Sequence, residues 1–136
     1  MTRRSGRTET CAREGARIRL TQARKFHEVG VLVASESMEE SASVAAALAV
    51  FAGLAAADAA CCAALGKRSR SQDHRDAVQL VETILPGGSQ AAQALGRLLN
   101  LKDSATYGII FVNKTKLDGA LRQAEALLQF AERAMA

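Results

Sequence analysis

The sequence predicts an all-α domain, and its composition supports this in two ways. Only one proline, Pro86, interrupts the 136 residues. Alanine, leucine, arginine, glutamate and glutamine are frequent, whereas runs of the β-branched residues typical of strands are few. A chain of this length fits one domain, residues 1–136, with its own core. We therefore expect an up-and-down bundle of four to five helices.

The first two predicted helices are joined by a polar turn, residues 35–43 (SESMEESAS). The first runs from about 10 to 35. The second, 43–65, follows serine N-cap candidates and ends at Gly66, a residue type that favours helix C-termini. It is rich in alanine and long enough to span a bilayer, but Asp58 would cost about 2.5–3.5 kcal/mol there. We interpret it as a core helix.

Three further helices are predicted. The third begins at Ser71 or Asp73 as N-cap and ends at Pro86-Gly87-Gly88, and Ser89 caps the fourth. After Lys102 the helical pattern breaks. The four large apolar residues at 109–112 are too few for a helix, so we expect a short extended segment packed over the bundle end. A variant capping box at 115–118 opens the last helix.

Charge is concentrated at the N-terminus. The net charge is +4, but residues 1–25 hold eight basic side chains against Glu9 and Glu14, which leaves −2 for the rest. Residues 1–12 could form a disordered basic arm. Such an arm can contact nucleic acid, or it can be a solvated terminus without aromatic side chains for stacking.

The three cysteines do not follow a metal-binding or disulfide pattern. Cys61 and Cys62 are adjacent and point about 100° apart on a helix, and no CxxC or Cys/His spacing involves Cys11. We therefore predict neither a disulfide framework nor a zinc site, and no metal or cofactor. Buried thiols in a reducing cytoplasm are expected. The absence of a signal-peptide apolar region also predicts a cytoplasmic location.

Asp58 is the first candidate site residue, because it lies on the same stripe of the second helix as large apolar residues. A carboxylate there needs a partner, or its pKa rises until it is neutral. Candidate partners are Arg68, Arg70, Lys102 and the hydroxyl of Tyr107. The pair is either purely structural or the anchor of a polar site.

His74 is the second candidate, with Arg68 six residues before it. It falls in the first turn of the third helix, where the helix dipole disfavours imidazolium and favours a neutral ring that accepts a proton. A neutral histidine could activate the 2′-hydroxyl of RNA while an arginine holds the phosphate. The alternative is a histidine that only packs the helix start. His27, in the first helix, is interpreted as a surface or packed histidine.

Five segments occur in a characteristic order, and together they resemble the HEPN family of small helical bundles associated with nucleotide or RNA binding. They are 23–26 (ARKF), 52–62 (AGLAAADAACC), 66–74 (GKRSRSQDH), 98–107 (LLNLKDSATY) and the closing helix with Ala120, Ala124 and Phe130.

The resemblance implies a site and a dimer. RNA-cleaving relatives carry an arginine and, after four to six residues, a histidine, often in the late segment, and they commonly dimerise. Here the late segment has Lys102 and Tyr107, which are a poorer phosphate clamp and a poorer base. The spacing is met instead by Arg68 and His74.

We therefore expect a homodimer that binds RNA or a nucleotide and no membrane. One form of this hypothesis is a metal-independent, toxin-type endoribonuclease, in which His74 is the base and Arg68 is the phosphate clamp. The alternative is a noncatalytic interaction protein that docks a partner such as a nucleotidyltransferase antitoxin. The expected binding residues are Asp58, Arg70, Asp73, Lys102 and Tyr107.

Overall fold

The computed structural model describes residues 7–136 and is mostly helical, as predicted. Two three-residue strands, which were not predicted, form a small antiparallel sheet. In chain order the elements are β1 (Thr8–Thr10), α1 (Arg13–Ala34), α2 (Glu39–Leu65), β2 (Lys67–Ser69), α3 (His74–Glu82), α4 (Gly88–Tyr107) and α5 (Lys114–Met135).

The alanine-rich helix α2 lies at the centre, in contact with α1, α4 and α5. Its small side chains let these helices approach closely. At Gly53, the space that a Cβ would need is filled by Cδ1 of Leu98 from α4, and Cδ1 of Leu127 from α5 lies 3.2 Å from that position. Both leucines are fully buried, so the centre of the core is packed against a glycine.

Helix α2 is also the only helix in the described residues that meets the length and composition criteria for a membrane span. Core helices of soluble proteins meet the same criteria. Most of its apolar window, 61%, is buried within the protein, although Val44 and Phe51 are exposed. This arrangement agrees with its interpretation as a core helix.

Helix α2 begins at Glu39 rather than at the predicted Ser43. Glu39 and Glu40 lie in its first turn, where negative charge interacts favourably with the helix dipole. The polar turn is therefore only four residues long, 35–38. Asp73 is the N-cap of α3, as predicted, and its carboxylate accepts a hydrogen bond from the backbone N–H of Arg75. Helix α3 ends at Glu82, before the predicted Pro86.

Helix α4 does not break after Lys102 but continues to Tyr107, because Ala105 extends its buried stripe. Gly87, not Ser89, is its N-cap. Helix α5 begins before the predicted capping box, and its N-cap is Asn113. The segment 109–112 is a loop rather than a strand. Only Val112 packs inward, and its N–H donates to Ser43 Oγ at 2.9 Å.

The N-terminal segment runs along the chain that follows α2. Residues 1–6 of the predicted basic arm lie outside the described residues, whereas Thr8–Thr10 form β1. β1 pairs with β2 so that Glu9 lies opposite Arg68. The pairing depends on Gly66, whose left-handed conformation (φ 70°) ends α2 and turns the chain toward β1.

Cys11 and Cys62 form a disulfide, so the prediction of unpaired cysteines was wrong. Their Cα atoms are 5.3 Å apart, although 51 positions separate them in sequence. The prediction considered only local spacing, and the return of the chain at Gly66 could not be placed in space from spacing alone. The N–H of Cys11 donates to the carbonyl of Gly66 at 2.9 Å, which aligns β1 with the end of α2. Cys61 is free and buried, as predicted.

Replacing Gly53 by alanine should lower the free energy of unfolding by about 1–3 kcal/mol, because the added methyl group overpacks the contact with Leu98. Gly96→Ala is the matched control. It lies in α4 with no neighbouring atom within 4 Å of the new Cβ, and should raise stability by about 0.5–1 kcal/mol through helix propensity. Urea denaturation measures both changes. Similar effects for the two variants would contradict close packing at Gly53.

Candidate functional site

Asp58, near the C-terminal end of α2, is held by two arginines. Its Oδ2 atom accepts hydrogen bonds from Arg19 Nε at 2.9 Å and from Arg68 Nη1 at 3.1 Å. The side chain of Asp58 is only 20% exposed, so these bonds offset much of the cost of burying its charge. Arg68 was a predicted partner, whereas Arg19 was missed because it comes from α1, 39 positions earlier.

Glu9 of β1 extends this cluster. Arg68 Nε donates to Glu9 Oε2 at 3.1 Å, and Arg70 Nη1 lies 3.9 Å from Glu9 Oε1. Burial lowers the pKa of the Arg68 guanidinium, but its hydrogen bonds and the charges of Glu9 and Asp58 outweigh burial, so the net pKa is raised. Arg68 therefore stays charged and is engaged by two carboxylates.

A cavity of about 420 Å³ lies beside the cluster. Arg19, Arg68 and Gln22 line it, together with the Cys11–Cys62 disulfide. We call this region the basic end. It comprises five cationic residues and three carboxylates: Arg7, Arg19, Lys67, Arg68, Arg70, Glu9, Asp58 and Asp76. Of these, Arg7, Lys67 and Asp76 line a second cavity of about 250 Å³.

His74 and Asp73 lie a few residues beyond the basic end, at the start of α3. His74 is half-buried and is the first residue of the helix. Asp73 caps the helix and its carboxylate binds the guanidinium of Arg75 at 2.8 Å. Within residues 7–136 the hydrogen bonds of the Arg68 side chain go to Glu9 and Asp58. Arg68 and His74 thus lie in neighbouring segments, but Arg68 is bonded to carboxylates and is not arranged with His74 as a phosphate clamp beside a catalytic base.

Lys102 and Tyr107 lie far from the basic end. Ala105, between them on α4, clusters with Ala45 and Ala46 near the start of α2. Thirteen residues of helix separate Ala45 from Asp58, which corresponds to about 20 Å. The seven predicted site residues therefore do not form one site. Asp58, Arg68 and Arg70 are brought together, whereas Lys102 and Tyr107 belong to the other end of the molecule.

That other end exposes an unusual amount of apolar surface. Tyr107 is 79% exposed, Ile109 101% and Ile110 82%. We call this region the apolar end. It comprises the large exposed side chains of the α4–α5 loop and of the facing ends of α1 and α2: Leu32, Met38, Val44, Tyr107, Ile109, Ile110 and Phe111. An exposed apolar cluster of this kind is typical of a protein interaction surface.

The free thiol of Cys61 is unsuited to nucleophilic chemistry. Burial, and secondarily the charge of Asp58, raise its pKa to about 12, so the thiol stays protonated at neutral pH. Among residues 7–136 no group of three His, Cys, Asp or Glu side chains is arranged to hold a metal ion.

A scan against protein-family models gave no match, and no curated protein is significantly similar to this chain.

Replacing Asp58 by asparagine should lower the free energy of unfolding by about 1–3 kcal/mol, because Arg19 and Arg68 lose a common charged acceptor. The control is Asp118→Asn, which removes an exposed ion pair with Lys114 and should cost about 1 kcal/mol or less. Urea denaturation of both variants at neutral pH tests this. Equal losses would show that the Asp58 cluster contributes no more than a surface pair.

Proposed function

We propose that this chain is a cytoplasmic, HEPN-like up-and-down helical domain that binds RNA or a nucleotide through phosphate contacts at its basic end. The observation that carries the proposal is the excess of cations there. Five cationic residues and three carboxylates, Glu9, Asp58 and Asp76, lie around two cavities of about 420 and 250 Å³. Arg7, Lys67 and Arg70 are exposed to solvent.

Guanidinium groups suit phosphate because they donate in a fork that matches two of its oxygens. Arg7 and Arg70 lie side by side, since the N–H of Arg70 donates to the carbonyl of Arg7 at 2.8 Å. In the sequence, Arg3 and Arg4 precede them. The basic end contains no aromatic side chain for base stacking. Contacts there would favour the phosphate backbone over particular bases.

Binding without cleavage fits this arrangement better than a ribonuclease does. A phosphate clamp must offer its guanidinium to the substrate, yet the guanidinium of Arg68 is already bonded to Glu9 and Asp58. His74 has no hydrogen bond to orient its ring within residues 7–136, and Lys102 and Tyr107 lie about 20 Å from Asp58 along the helix axis. We therefore propose a binding module and not an endoribonuclease.

Lys67→Ala and Arg70→Ala should each weaken binding of a single-stranded RNA and reduce the slope of log K against log salt by about 0.7, because each removes one phosphate contact. Fluorescence anisotropy at several salt concentrations measures the slope. Lys114→Ala, an exposed lysine at the start of α5, is the control and should leave the slope unchanged.

No RNA binding by the wild-type protein, or equal effects of the three substitutions, would contradict the proposal. The same samples, incubated with RNA at high protein concentration in EDTA, should leave the RNA intact. Cleavage that is lost in both His74→Ala and Arg68→Ala would replace the binding module with the nuclease that the sequence suggested.

A second candidate function, a noncatalytic interaction protein, is favoured by the apolar end. Ile109 and Ile110 are almost fully exposed, and Tyr107 precedes them. Leaving these side chains in water is unfavourable, and burying one of them fully contributes about 1.5–3 kcal/mol. A partner that covers the apolar end would gain this free energy.

We propose that the occupant of the apolar end is a second copy of this chain. Glu36, Glu39 and Glu40 are exposed on the α1–α2 side, and Lys114 and Lys116 are exposed at the start of α5. Glu36, Glu39 and Lys114 line one cavity of about 310 Å³, so both charges are present on the same face. In a two-fold symmetric dimer, the glutamates of one copy can meet the lysines of the other. A partner of a different sequence, such as an antitoxin, is the alternative occupant.

The double variant Ile109→Asp/Ile110→Asp should be monomeric where the wild type is a dimer, because two charges at the interface would be desolvated. Sedimentation velocity at micromolar concentrations measures the change. Leu85→Asp is the control, since Leu85 is 87% exposed and lies outside the apolar end. A monomeric wild type would exclude the second copy as the occupant, and dissociation by Leu85→Asp alone would place the interface elsewhere.

A further inference from the structure

The Cys11–Cys62 disulfide holds the N-terminal strand at the basic end. Cys11 directly follows β1, and Cys62 lies in the last turn of α2. Apart from this bond, β1 is attached through a three-residue pairing with β2, through the flanking backbone hydrogen bonds Cys11 N–H to Gly66 and Arg70 N–H to Arg7, and through the ion pair of Glu9 with Arg68. Its C-terminal end continues into α1 at Arg13. An isolated pair of such short strands is marginally stable at best in water. The disulfide is therefore the covalent cross-link that holds β1 against the end of α2.

The strand that the disulfide holds also carries Glu9. Its carboxylate engages the Arg68 side chain at 3.1 Å and lies 3.9 Å from Arg70. An arginine that is paired with a carboxylate is a poorer ligand for phosphate, because the phosphate must displace that carboxylate. The position of β1 thus decides whether the Nε and Nη2 atoms of Arg68 are occupied by Glu9 or open, whereas Nη1 stays bonded to Asp58. It also decides whether a carboxylate lies beside the exposed Arg70.

The disulfide can be reached from solvent. Both of its cysteines line the cavity of about 420 Å³ beside Arg19 and Arg68. Cys11 is half-buried, whereas Cys62 is 3% exposed, so an attacking thiolate reaches the sulfur of Cys11 first. Cys61 does not compete, because it is buried and its thiol stays protonated. Disulfides in a reducing compartment are usually transient or redox-sensing.

We propose that Cys11 and Cys62 are a reversible thiol–disulfide modification site, and that its reduction by a dithiol releases β1 and removes Glu9 from Arg68, so that Nε and Nη2 of Arg68 become open to phosphate. The effect of reduction on phosphate binding rests on the proposed function of the basic end. In the oxidised protein, the disulfide keeps Glu9 paired with Arg68.

The reduction is an ordinary thiol–disulfide exchange in two steps. A thiolate of the dithiol attacks Cys11 Sγ, the S–S bond breaks, and Cys62 Sγ leaves as a thiolate that takes up a proton. The second thiol of the reductant then attacks the mixed disulfide and displaces Cys11. Two electrons pass to the protein, which ends with two thiols, and the reductant leaves as its own disulfide.

The first measurement needs no ligand. Hydrogen–deuterium exchange of the oxidised and the dithiothreitol-reduced protein is compared over Thr8–Thr10 and Lys67–Ser69. Reduction should speed exchange in both strands and leave the buried centre of α2 protected. Cys11→Ser should behave like the reduced protein without reductant, and Cys61→Ser, the control, should respond to dithiothreitol like the wild type. Unchanged exchange of β1 on reduction overturns the proposal.

The second measurement is anisotropy with a single-stranded RNA. Reduction should steepen the slope of log K against log salt by about 0.7, which corresponds to one additional phosphate contact, made by Arg68. Glu9→Gln, with the disulfide intact, should show the steeper slope with or without dithiothreitol. If reduction speeds exchange in both strands but leaves RNA binding unchanged, the disulfide does not regulate RNA binding, and that part of the proposal is overturned. If reduction speeds exchange in both strands but neither the oxidised nor the reduced protein binds RNA, the thiol–disulfide site is supported and the proposed function of the basic end is contradicted.

Discussion

The small side chains of α2 are the constraint on which the rest of the structure depends. Because alanine and glycine keep neighbouring backbones close, α1, α4 and α5 all pack directly on this helix. Its buried residues contribute little area each, so their stabilisation comes from many close contacts rather than from large side chains. The leucines of the neighbouring helices fill the space that α2 leaves, as Leu98 and Leu127 do over Gly53.

The close packing of α2 also determines where its one interior charge is tolerated. Asp58 lies near the end of the helix, where α1 contributes Arg19 and the chain after Gly66 contributes Arg68. The left-handed turn at Gly66 is therefore more than a helix stop. It returns the chain so that β2 meets β1, and it places a carboxylate, two arginines and the disulfide within one small region.

The length of α2 separates two kinds of surface. At its C-terminal end, charged groups are paired around a cavity, and at its N-terminal end, large apolar side chains face solvent. A phosphate ligand suits the first surface and a protein partner suits the second. Because the two surfaces lie about 20 Å apart, both could be occupied at once. The late segment with Lys102 and Tyr107 belongs to the apolar end, so its resemblance to a cleavage motif is not matched by its surroundings.

The sequence by itself determined the helical class, the central helix with its end at Gly66, an N-cap at Ser71 or Asp73, and the need of Asp58 for a partner, with Arg68 among four candidates. These features follow from local propensity and from the cost of burying an unpaired charge. Only the tertiary structure decided the Cys11–Cys62 bond, the pairing of β1 with β2, and the choice of Arg19 as a second partner. It also decided that Lys102 and Tyr107 lie away from Arg68. Each of these depends on contacts between distant positions, which the spacing of residues along one chain does not encode.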